Sequence, residues 1–112
     1  MQIRIEEKDG IQICSAEGDI DINTSPQVKR AFDKLVKTKS EKVVLNLQKV
    51  GYIDSSGLAT LVEILKNFKT FGGKLKLCSL STKVKSLFEI TKLEKLFDIK
   101  DTEEEALKEM QL

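Results

Sequence analysis

The sequence predicts an α/β layered domain, a small sheet with helices packed on it. Three observations carry that expectation. Runs of alternating or continuous apolar residues recur between segments whose apolar residues fall three and four apart, which are the strand and helix periods. Asp-Gly and Gly-Gly dipeptides punctuate these segments, with no low-complexity tract or Gly/Ser-rich linker between them. The 112 residues are 40% hydrophobic and 33% charged, which supplies one core and a charged surface and reads as a single domain over residues 1–112.

The elements follow in order. Ile3 and Ile5 alternate with polar residues as a first strand, and Asp9-Gly10 turns it into a second over about residues 11–17, with Ile11, Ile13 and Ser15 on one face. Residues 18–23 read as a loop. Thr24 or Ser25 caps a first helix with Pro26 in its first turn, and Gln27 is placed to answer Thr24 in a capping box. Val28, Ala31, Phe32, Leu35 and Val36 form its buried stripe. Val43–Leu47 is a nearly continuous apolar run that fits a central strand covered on both faces. Asp54-Ser55-Ser56-Gly57 opens a second helix carrying Leu58, Leu61, Val62, Leu65 and Phe68, and Gly72-Gly73 ends it. Lys74–Cys78 alternates as a strand. Thr82 starts a third helix with Val84, Leu87 and Phe88, and a short last strand falls near Phe97–Ile99. Asp101–Glu105 caps a terminal helix and places acids at the positive end of its dipole.

Composition excludes several kinds of chemistry. Nineteen basic against eighteen acidic residues give a net charge of +1, which offers no broad basic surface for nucleic acid. The chain has no histidine, which removes Ser-His-Asp and Cys-His nucleophile arrangements and His-ligated zinc. Cys14 and Cys78 form no Cys-x-x-Cys pair and sit in apolar strand runs, so they read as buried hydrophobes in a reducing compartment, with a disulfide between them left open. Met1–Asp9 has no apolar signal-peptide core, and no window approaches the roughly 20 apolar residues of a membrane span. A cytoplasmic protein is expected.

One segment asks for more than a structural reading. A helix start needs one capping side chain, yet Asp54-Ser55-Ser56-Gly57 crowds three small polar residues and a glycine into the turn. Capping alone is one reading. The other rests on electrostatics: a helix N-terminus offers unsatisfied N–H groups and a positive dipole end, so a serine there accepts a phosphate well. Phosphorylation adds about −1.5 to −2 charges, which a docked partner meets as bulk, desolvation and repulsion. A hydrolase with Ser55 as nucleophile fails for want of a histidine base and of a Gly-x-Ser-x-Gly match.

The run Val43–Leu47, then Tyr52-Ile53-Asp54-Ser55-Ser56-Gly57-Leu58, then Gly72-Gly73-Lys74-Leu75, resembles the bacterial anti-sigma factor antagonists of the STAS domain family. The resemblance extends to the Gly18-Asp19-Ile20-Asp21 turn and the Val84–Phe88 helix, and so covers essentially the whole chain. It implies a small mixed central sheet of four to five strands with about four helices. It implies a non-enzyme that binds an anti-sigma factor which is also a serine kinase, and thereby frees a sigma factor. Phosphorylation falls on Ser55 by this resemblance, and a metal-dependent serine/threonine phosphatase reverses it. Asp54 defines the site, Ser56 and Gly57 shape the helix start, and Asp21 matches a position near the partner surface or is a solvated turn residue. No cofactor or metal is implied, because the ATP belongs to the kinase. STAS domains that act as constant scaffolds, or as accessory subunits of stress-signalling or lipid-transport complexes, are the alternative.

Overall fold

A computed structural model describes residues 1–111. Its elements are β1 (Gln2–Lys8), β2 (Ile11–Glu17), α1 (Ser25–Lys37), β3 (Lys42–Lys49), α2 (Ser55–Lys69), β4 (Lys74–Cys78), α3 (Thr82–Ile90), a 3-10 turn at Leu93–Lys95, β5 (Asp98–Lys100) and α4 (Glu103–Met110). The strands lie in sequence order in one five-stranded sheet. The β1–β2 pair is antiparallel and the other three pairs are parallel, so the sheet is mixed.

Local chemistry explains the connections. Asp9 and Gly10 both take left-handed backbone (φ 53° and 79°), the turn that lets Lys8 pair with Ile11 in a tight hairpin. Parallel neighbours need longer crossovers, which α1, α2 and α3 provide. After α2 the Gly73 N–H donates to Phe68 O at 2.8 Å, closing the helix end over Gly72 at φ 74°.

Side chains alternate across the sheet and divide the core in two. On one face Cys14, Ala16, Val43, Leu45 and Leu77 pack beneath α1 and α2, where Phe32 meets Phe68 edge-on at 6.2 Å. On the other face Ile11, Ile13, Val44 and Cys78 pack beneath Ala106 and Met110 of α4. The expectation for β3 holds: Val43, Val44, Leu45 and Leu47 are all fully buried.

Two local expectations need correction. Thr24 and Gln27 form no capping box: the Thr24 hydroxyl donates to Asp19 O at 2.7 Å, and the Gln27 amide donates to Met1 O at 3.1 Å. The loop before α1 folds back and claims Thr24 first. α3 starts at Thr82 as expected, and Ser81 caps it by accepting the Val84 N–H at 3.2 Å. Ile64 joins the buried stripe of α2, whereas Val62 is half-buried, because the covered arc centres on Gly57, Leu61, Ile64 and Phe68 and Val62 lies at its edge.

Candidate functional site

Two loops meet at the ends of β2 and β3. Ile20 and Ile53, both fully buried, form an isolated parallel bridge. The Ile20 N–H donates to Tyr52 O at 2.9 Å, and the Asp54 N–H donates to Ile20 O at 3.0 Å. This short ladder fixes residue 54 before α2 begins.

Asp54 then works in two directions. Its backbone is extended (φ −90°, ψ −177°), as a helix cap requires. Its Oδ1 accepts the Gly57 N–H at 2.9 Å, which satisfies one orphan donor of α2. Its Oδ2 accepts the Ile22 N–H at 3.2 Å from the other loop. One carboxylate therefore ties the start of α2 to the segment before α1.

Gly57 has a steric reason. A Cβ at this position would stand 2.6 Å from Ile20 O and 2.7 Å from Ile53 Cγ2. Only glycine lets α2 press this closely on the bridge. The close approach is thus an internal one, of the helix backbone against the Ile20 carbonyl and the Ile53 side chain.

Ser55 and Ser56 are the first two residues of α2. Ser55 is exposed and Ser56 half-buried. Among the described residues neither hydroxyl makes a hydrogen bond, and neither backbone N–H has a protein partner. Asp21 is placed differently. Its Oδ1 accepts the Asn23 and Thr24 N–H groups at 2.9 and 3.1 Å, so it organises the turn into α1. Asp54, Ser55, Ser56 and Gly57 form one site, and Asp21 supports the neighbouring loop that Asp54 grips through Ile22.

Sequence reasoning missed two flanking residues. Ile22 is 70% exposed beside the Asp54 carboxylate, and Tyr52 is 43% exposed with the Lys83 ammonium 5.2 Å above its ring. An isoleucine inside the polar run Asp21-Ile22-Asn23 was the available signal for the first. The Tyr52–Lys83 contact joins distant segments and left none.

The remaining reactive groups lie elsewhere. Cys14 and Cys78 are free and buried on opposite faces of the sheet. Burial pushes the Cys14 thiol up to about 12 and is the largest influence raising Cys78 to about 11, so neither is a thiolate at neutral pH. Among the described residues no group of three or more Cys, Asp or Glu is placed to hold a metal ion, and no helix is long and apolar enough to cross a membrane.

A mixed sheet with this serine-bearing helix start defines the class: residues 2–106 match the STAS domain, and the chain belongs to the STAS domain family. It is 30% identical to the anti-sigma F factor antagonist of Paenibacillus polymyxa, over 100% of this chain and 97% of that one. It is 34% identical to the anti-sigma-B factor antagonist of Listeria monocytogenes, over 94% and 91% of the two chains. Among solved structures, the anti-sigma factor antagonist SpoIIAA in its unphosphorylated form superposes with a TM-score of 0.76 at 17% identity, over 98% of each chain, which is a likeness of fold.

Proposed function

We propose that this protein is an anti-sigma factor antagonist that binds an anti-sigma factor serine kinase and is released when Ser55 is phosphorylated. The observation that carries this reading is the exposed, unbonded Ser55 hydroxyl on a helix start held rigid by Asp54 and Gly57. The relatives' names support the antagonist role, and SpoIIAA, which has this fold, is known in a phosphorylated form as well.

In the phosphorylation step Ser55 Oγ attacks the γ-phosphorus of ATP bound by the kinase. An O–P bond forms, ADP leaves, and the hydroxyl proton passes to a base of the kinase. This chain contributes position and no catalysis. The free N–H groups of Ser55 and Ser56 and the dipole of α2 accommodate the added charge within the domain. The partner, packed over the same spot, meets about −1.5 to −2 charges beside the Asp54 carboxylate and lets go. Complex formation frees the sigma factor in the cytoplasm, and a serine/threonine phosphatase resets the switch by hydrolysing the phosphoserine.

The test uses the intact protein with its cognate kinase and ATP. Mass spectrometry is expected to find one phosphate, on Ser55. Ser55→Ala keeps binding and loses the label, and Ser55→Asp weakens binding. A complex indifferent to ATP and to phosphatase would instead mark a constant scaffold and overturn the reading.

A further inference from the structure

We infer that α4 is a flap that opens from the sheet while the rest of the fold stays closed, and that a ring of charges latches it. Its apolar hold is small. Two of its eight residues are buried, Ala106 and Met110, with Leu107 partly buried against the same cluster, whereas six of the fifteen in α2 are buried. A helix of eight residues has little stability of its own and depends on what it docks against.

Charged and polar contacts make up the rest of the hold. The Lys76 side chain on β4 is only 10% exposed and pairs with Asp98 of β5 and, at 3.4 Å, with Glu109 of α4. Lys100 of β5 pairs with the same two acids, at 2.7 Å to Glu109 and 3.4 Å to Asp98. Glu109 is the α4 member of this ring and touches both lysines. At the other end the Asn46 amide donates to Glu103 Oε1 at 3.0 Å, and Thr102 caps the helix by accepting the Glu105 N–H at 3.1 Å. Ion pairs that reach solvent contribute modestly and weaken with salt. Elements held by few apolar contacts open locally below the cost of global unfolding. Opening α4 uncovers Ile11, Ile13 and Val44, an apolar strip on β2 and β3.

The two cysteines read this motion from opposite sides. Cys78 lies under α4, in the cluster with Ala106 and Met110. Cys14 lies on the other face, in the cluster with Val28 and Phe32 of α1. Burial keeps both unreactive in the closed fold, so each reacts only when its cover lifts.

The experiment is thiol labelling of the full chain at neutral pH with a disulfide reagent, each cysteine followed by peptide mass spectrometry. Cys78 is expected to react at least about tenfold faster than Cys14. Glu109→Gln is expected to speed Cys78 several-fold and leave Cys14 within about twofold, as is raised salt. Circular dichroism checks that the variant is folded. Equal rates at the two cysteines would mean that α4 opens only with the whole protein. An unchanged Cys78 rate in Glu109→Gln would mean that the charges are no latch. Either result overturns the inference.

Discussion

Two helices of this protein begin on a serine with an aspartate up to four residues before it, and the two serines have opposite surroundings. At α1 the Ser25 hydroxyl donates to Asp21 O at 2.6 Å, and the residue is 6% exposed. At α2 the Ser55 hydroxyl is exposed and makes no hydrogen bond among the described residues. The aspartates differ as well. Asp21 spends its carboxylate on its own turn, through Asn23 and Thr24. Asp54 divides its carboxylate between its own helix and the neighbouring loop. A serine at a helix start becomes available chemistry only where other groups do the structural work, and here the Asp54 carboxylate and Gly57 do it.

The comparison breaks most completely in the phosphorylation assay. Ser25→Ala is expected to keep full labelling by the cognate kinase and Ser55→Ala to lose it, as phosphopeptide mapping reads directly. Equal loss in both would sink the contrast. Gly57→Ala comes next, expected to destabilise by about 1–3 kcal/mol in chemical denaturation, because the new methyl must displace Ile20 O and Ile53. Asp54→Ala follows at about 0.5–2 kcal/mol from the lost cap, with amide exchange rising at Ile22 as well as Gly57. Ser25→Ala then costs about 1 kcal/mol for one buried hydrogen bond, whereas Ser55→Ala stays within about 0.5 kcal/mol. A stability loss at Ser55 as large as that at Ser25 would contradict the exposed placement.

Acid is expected to act on the charge ring of β4, β5 and α4. Lys100 first, and then Lys76, hold the Glu109 carboxyl below its ordinary 4.5. Burial pushes Asp98 up, but Lys76 and Lys100 overcome it and hold it below 3.8. Such groups stabilise the fold above their unfolded values, and that contribution is lost as pH falls through the lower folded ones. Thermal melts are therefore expected to show the loss below about pH 4, and Glu109→Gln to reduce it.

Much of this fold is legible because it is local. Asp9-Gly10, the stripe from Val28 to Val36 and the apolar run at Val43 each specify an element by short-range spacing. The glycine at position 57 announces a tight contact, but the atom it touches, Ile20 O, lies 37 residues back in the chain and no spacing rule reaches it. Asp54 reads as a cap, while its second bond to Ile22 exists only because the Ile20–Ile53 bridge joins two loops. Lys76 misleads in the opposite sense. In Lys74-Leu75-Lys76-Leu77 it alternates like a solvated residue, yet α4 covers it and its charge is met from β5 and α4. Long-range pairing and charge burial were the unreadable part.

Lys39 and Lys92 share an unusual backbone: both sit in the left-handed region, at φ 53° and 61°, in turns after α1 and α3. A side chain there carries about 1 kcal/mol of steric strain that glycine lacks. Lys39→Gly and Lys92→Gly thus offer routes to a hardier protein that leave every atom around Ser55 in place, so thermal tolerance can be raised without touching the start of α2.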